Sequence, residues 1–216
     1  MKKFRTAVIF LALFLPGCAT QTETNPPRSA TEQLLISTAA DRAAAQLAVK
    51  IPAKTPVFVD AGNFDGTDSK YAVGAIHDSL LKQGVYLVDD KKKAKAIIEI
   101  RAGALSTDKR QFLVGIPTFQ IPIPFATGGL TFPEIALYKS DAQKGVAKFA
   151  FVSYDTKKGA LMQSEEPQYG FAHNIKKTVL IFVSWTDNDT LPENEKDALS
   201  RDIDDATPEV MHEQTP

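Results

Sequence analysis

One cysteine, three histidines and one tryptophan occur in 216 residues, and each scarcity excludes something. With Cys18 alone there is no intrachain disulfide, so the fold must rest on apolar burial even in an oxidising compartment. Neither a histidine nor a cysteine stands at metal-ligand spacing from His77, which leaves no recognisable zinc site. A net charge of −1 and the lack of a basic stripe with interleaved aromatics argue against a nucleic-acid partner. There is no Gly-x-Ser-x-Gly elbow, and Gly128-Gly129 is not followed by the Lys-Ser or Lys-Thr of a phosphate-cradling loop. No metal or cofactor is therefore expected. Long hydrophobic runs are missing too: residues 7–15 are apolar, but too few to span a bilayer as a permanent helix.

What is present begins with that run. Lys2, Lys3 and Arg5 precede it as a basic n-region, so residues 1–17 read as a signal peptide. It closes on Leu15-Pro16-Gly17-Cys18, which resembles the lipobox of bacterial lipoproteins, although Pro16 departs from the small or β-branched residue usual there. The resemblance implies cleavage before Cys18, a diacylglycerol on its thiol and a further acyl chain, such as palmitate, on its new amino group. An ordinary secretory leader and a retained anchor are the competing readings; the short apolar core disfavours the second. Ala19 and Thr20 are not the aspartate that holds lipoproteins in the inner membrane. The expected location is therefore the outer membrane, with the domain facing the periplasm.

Residues 18–28 are polar, contain Pro26-Pro27 and show no periodicity, as a tether would. Charge is then unevenly distributed, with 20 Lys and Arg against 16 Asp and Glu over residues 18–186, and 2 against 10 from Asp187 onward. The body, residues 29–186, is mildly basic; residues 187–216 read as an acidic, disordered tail. Ser29 and Glu32 have capping-box spacing, and Leu35, Ile36, Ala39, Ala40, Ala43 and Leu47 follow at helical intervals, predicting a packed amphipathic helix that runs until Pro52 and Pro56. Residues 57–59 suit a covered strand. Residues 60–68 lack the acid spacing of an EF-hand and read as a turn in which Asp68 or Thr67 caps a second helix ending at Gly84. Residues 85–88 and 96–105 are the next strands, the last with Ile98, Ile100, Ala102 and Ala104 on one face.

Residues 111–133 are strongly apolar yet broken by Pro117, Pro122 and Pro124, which argues against a regular helix or central strand. The run is expected either to cover the core irregularly or to present an apolar surface to a partner or the membrane, with Phe119 and Phe125 as its main residues. An antiparallel meander follows: residues 134–139, a turn at 141–145, a strand at 146–154, a turn at 155–159 and a strand at 160–164. Residues 178–185 form a last apolar strand. The fold class expected is α+β: a single domain with a mixed sheet, two or three packing helices and an antiparallel meander, flanked by a lipidated N-terminal tether and a disordered acidic tail.

The element order, with Asp155-Thr156-x-x-Gly159 and the Lys-rich step before Ala96-Ile97-Ile98, resembles the periplasmic domain shared by the curli secretion channel lipoprotein and the lipoprotein activators of penicillin-binding proteins, over residues 55–165. Through Arg28-Ser29-Ala30-Thr31-Glu32-Gln33-Leu34-Leu35-Ile36-Ser37 and Ala40-Asp41-Arg42 the chain more closely resembles a family of uncharacterised bacterial lipoproteins. Neither resemblance implies catalytic residues, and pore formation is not carried over, because the proline-broken run is expected to lack the roughly 9–11 regular residues that each spanning strand needs. Two functions remain. One is a non-enzymatic, membrane-anchored envelope module that binds an envelope protein through residues 111–133 or a sheet edge. The other is an envelope hydrolase using His173 with an acid such as Asp60 or Glu165.

Overall fold

The computed structural model describes residues 28–122 and 129–191, with Glu195. Cys18, the leader, Phe125 and most of the acidic tail lie outside those residues. Within them the protein is α+β, built on one mixed sheet in the order β2-β1-β3-β6-β8-β9, with β7 also paired to β6. Helix α1 (Ala30–Ala45) starts where Ser29 accepts the Glu32 N–H at 3.2 Å. It ends at Gln46, well before Pro52; there the backbone N–H turns to Ala43 O, and the side-chain amide donates to Arg42 O and to Tyr169 O on β8. Helix α2 (Ser69–Lys82) ends as expected at Gly84, whose φ is +83°. Gly84 N–H bonds Leu81 O and Val85 N–H bonds Leu80 O, a Schellman closure.

Strands β1 (Pro56–Asp60) and β2 (Tyr86–Leu87) pair in parallel, and β1 pairs in parallel with β3 (Ala96–Ile116). From β3 onward the sheet is antiparallel through β6 (Ile135–Asp155), β8 (Gln168–Val179) and β9 (Val183–Asn188), while β7 (Leu161–Ser164) pairs the far end of β6. A separate two-stranded hairpin, β4 (Phe119–Pro122) with β5 (Gly129–Phe132), lies between β3 and β6 in the chain.

Several expectations are corrected here. Residues 111–133 are not an irregular cover: β3 runs 21 residues to Ile116, and the prolines sit at the joints, Pro117 after β3, Pro122 ending β4 and Pro133 before β6. Nor is there a turn at 141–145, since β6 passes straight through as one 21-residue strand. Residues 178–185 are the turn of the β8–β9 hairpin rather than one strand. A register shift between Ala102 and Ala104 puts Leu105, not Ala104, into the core. One inserted residue exchanges the two faces of a strand.

The core lies between the two helices and the sheet, around Phe149, Phe151, Ile98, Ile100, Leu35 and Ile76. The alanine stripe of α1 packs against β6 and β8. It comes so close that a Cβ added to Gly145 would stand 2.2 Å from Leu35 O, and one on Gly170 1.9 Å from Ala39 O. Small residues on both surfaces permit that approach. Residues 60–68 form a turn, with Asp60 Oδ1 accepting the Gly62 N–H, and Phe64 plugs onto Phe149 with centroids 5.2 Å apart.

Candidate functional site

His173 lies on β8, about one-third exposed, with Nε2 3.4 Å from Asp187 and Nδ1 3.2 Å from Asp189. Neither expected acid joins it. Asp60 pairs with Lys91 at 3.0 Å, and Glu165 accepts from Gln163 and Gln168. Asp189 is also engaged elsewhere, accepting the His173 backbone N–H at 2.6 Å and the Arg42 guanidinium at 2.6 Å. The same guanidinium donates to Asp189 O. This cluster ties α1 to β8 and to the chain leaving β9, so ordered structure extends past residue 187, where the tail was expected to begin. Among the described residues no three His, Cys, Asp or Glu side chains are placed to hold a metal ion.

A second polar latch joins the start of the domain to α2. Arg28 forms a two-pronged ion pair with Asp68, Nη2 to Oδ1 at 2.7 Å. Asp68 occupies the N-cap position in left-handed geometry, φ 58°, but makes no side-chain cap hydrogen bond. Its carboxylate serves Arg28 instead, which corrects the capping expectation. In Asp155-Thr156-x-x-Gly159, Asp155 Oδ1 accepts the N–H groups of Lys157 and Lys158, and Thr156 Oγ1 donates to Ala94 O at 3.0 Å. That motif is a turn buckled onto the strand entry, not a site.

Charge and burial make these groups pH-sensitive. The Arg28 hydrogen bond holds the Asp68 carboxyl below its ordinary value. Burial pushes Asp189 up, but the His173 N–H and Arg42 outweigh it and the net direction is down. Burial lowers the His77 imidazole, whose Nε2 has no hydrogen-bond partner. In each case the unfolded chain takes up the proton at higher pH than the folded one, so stability falls as pH falls. The His77 share declines below its unfolded value of 6.5, and the Asp68 and Asp189 shares below 3.8. A plot of thermal midpoint against pH is expected to bend downward in both windows. His77→Phe should remove the first bend and Asp68→Asn should weaken the second; an unaltered first bend in His77→Phe would refute its assignment.

The largest unpaired feature is the end of the sheet beyond the helices. On one face there are two adjacent rows: Val114, Tyr138, Val179 and Val183, which is apolar throughout, and Phe112, Ser140, Lys177 and Trp185, in which a serine and a lysine separate the two aromatics. Phe119 stacks on Phe132 at 4.9 Å across the β4–β5 hairpin, and both are exposed. The β8–β9 turn adds Leu180, Ile181 and Phe182, the last 81% exposed. Residue-level reasoning had pointed to Phe119 but missed this turn. The eight-residue apolar stretch was its signal, and it was taken for a strand.

A family model described as a family of unknown function, DUF6655, matches residues 12–166. The chain belongs to that family. The expectation of membership in a family with no assigned activity therefore holds. The DUF6655 span takes in Cys18 and ends before β8. The residues that carry the resemblance to uncharacterised lipoproteins are mostly structural here: Ser29 caps α1, Arg28 grips Asp68, Asp41 accepts the Tyr71 hydroxyl at 3.0 Å, and Arg42 binds Asp189. No curated protein matches this DUF6655 chain. No helix among the described residues is long and apolar enough to cross a membrane.

Proposed function

We propose that this protein is a lipid-anchored module of the bacterial cell envelope, held in the outer membrane through Cys18 with its domain facing the periplasm, and that it acts by binding rather than by turnover. The observation that carries this reading is the order basic leader, short apolar core, Leu15-Pro16-Gly17-Cys18, then a polar stretch leading into Arg28 and α1. That the family span takes in Cys18 supports it. Each acyl methylene buried contributes about 0.8 kcal/mol, so three chains hold the domain at the membrane without a spanning helix. The exposed apolar surface around Phe119, together with Phe125 in the sequence beside it, supplies the contact with another envelope component. The hydrolase alternative has less support, because Asp189 beside His173 is already committed to Arg42 and to backbone.

Intact mass of the protein extracted from membranes tests the anchor. The native chain is expected to begin at Cys18 and carry three acyl chains, and Cys18→Ser is expected to lose all of that added mass. A native chain beginning upstream of Cys18, or one with a free thiol, overturns the proposal.

A further inference from the structure

The exposed end of the sheet is poor in charge. From Gln111 to Pro133 the sequence carries no charged residue, and from Thr178 to Thr186 there is again none. By register the charges resume at Arg110 on β3, at Lys139 opposite Leu113 on β6, at Lys177 opposite Trp185 on β8 and at Asp187 opposite Ile175 on β9, a staggered boundary. Lys139 is neutralised by Glu134 at 2.8 Å. In the same row as Lys139, Thr178 and Ser184 hydrogen-bond to each other at 2.9 Å. Beyond that stagger, the row Val114, Tyr138, Val179 and Val183 and the β8–β9 turn carry no charge.

The β8–β9 turn adds an independent sign. Leu180 and Ile181 have φ of 50° and 73°, the left-handed geometry that a tight hairpin ordinarily gives to Asn or Gly. A leucine and a β-branched residue in those places put hydrophobicity ahead of turn propensity at the tip of the β8–β9 hairpin. The chain's only tryptophan, Trp185, pairs with Lys177 at the charge boundary. That is where amphipathic rings gather in membrane-contacting proteins.

The occupant is indicated by where the chain leaves the domain. Leu35 lies over Gly145, while Gln46 reaches Tyr169, which pairs with Lys148. α1 is therefore directed with its N-terminus toward the uncharged end. Residues 18–28 beyond it extend at most about 33–36 Å, enough to bring Cys18 to the level of the strand tips. We propose that this end of the sheet is a membrane-contact surface, seated in the outer part of the bilayer to which Cys18 is anchored. The uncharged parts of β8 and β9, Thr178–Val179 and Val183–Thr186, are short beside the roughly 9–11 residues of a spanning strand, so the tips enter one leaflet and do not cross. The inference deepens the lipid-anchor reading and rests on it for the position of the tether.

Trp185 is a built-in reporter. Purified native protein, reconstituted into phosphatidylethanolamine–phosphatidylglycerol vesicles, is expected to show blue-shifted Trp185 emission. At a depth of about 5–10 Å, lipids brominated near the headgroup should quench roughly half of it. The double variant Ile181→Asp with Phe182→Asp, still anchored through Cys18, is expected to lose both effects. Native protein whose mass confirms acylation, but whose Trp185 is open to iodide and unquenched by bromolipid, overturns the inference and leaves the anchor standing. Shielding from iodide without bromolipid quenching, with crosslinked dimers, assigns the surface to a second copy and likewise overturns it. Quenching by added protein that carries no acyl chains upholds the membrane contact while the anchor reading fails.

Discussion

Gly170→Val is expected to leave little folded protein. A side chain at this position has no room to move into, since its first carbon would stand 1.9 Å from Ala39 O and 2.6 Å from Ala43 N, both backbone atoms of α1. Relief requires lifting the helix off β8, which opens the contact between its alanine stripe and the sheet. Overpacking a core costs about 1–3 kcal/mol when side chains can adjust and more when only backbone can yield. A loss of at least about 3 kcal/mol is expected, which lowers the thermal midpoint by about 6–12 °C for a chain of this size. Gly145→Ala, 2.2 Å from Leu35 O, should behave similarly but less severely. Gly74→Ala is the internal control. Nothing lies within 4 Å of a Cβ there, and in the interior of α2 the change should stabilise by about 0.5–1 kcal/mol. A Gly170→Val protein that melts with the native one would show that α1 does not pack as described.

The second large effect contrasts two phenylalanines on one sheet. Phe149 is fully buried against Phe64 and the helices, and Phe149→Ala is expected to cost about 3–5 kcal/mol through lost transfer energy and the cavity left behind. Phe112, on β3, is 60% exposed and touches chiefly Tyr138, with centroids 6.1 Å apart. Phe112→Ala should change stability in solution by no more than about 0.5 kcal/mol. Urea denaturation of the two variants measures the difference directly. Equal losses would mean that the end of the sheet is covered by the chain itself.

The helices were legible because their signals are local. Ser29 with Glu32, the 35–47 stripe and Gly84 each act over one or two turns, and the structure uses them as read. The long strands were not legible, because what makes them strands is a partner far away in sequence: Phe112 pairs with Ser140, and Ile116 with Ile135. Pro117, Pro122 and Pro124 argue against any strand in the run, yet Pro117 occupies a joint and Pro122 a strand end, where a missing N–H costs no ladder bond, and Pro124 lies outside the described residues. Residues 141–145 looked like a turn because of Gly145. That glycine is there for the approach of α1, a requirement that only packing creates. Gly103 gave no warning of the bulge that exchanges Ala104 for Leu105.

His173 shows the same limit. Its charged companions are Asp187 and Asp189, contributed by the next hairpin strand and the chain just after it. Asp60 and Glu165 had been the candidates, and nothing in their local sequence could show that each already had partners of its own.

From the sequence alone came the two helices, the start of the first and the glycine stop of the second, the α+β class and the absence of an intrachain disulfide. These depend on side-chain chemistry and short-range spacing, which the linear order states directly. Tertiary structure alone decided that an apolar run broken by prolines would become paired strands, that glycines would serve a helix rather than a turn, and that two uncharged segments far apart in the chain would meet at one end of the sheet. Those outcomes depend on register between distant strands, a property of the assembled sheet and of no single segment.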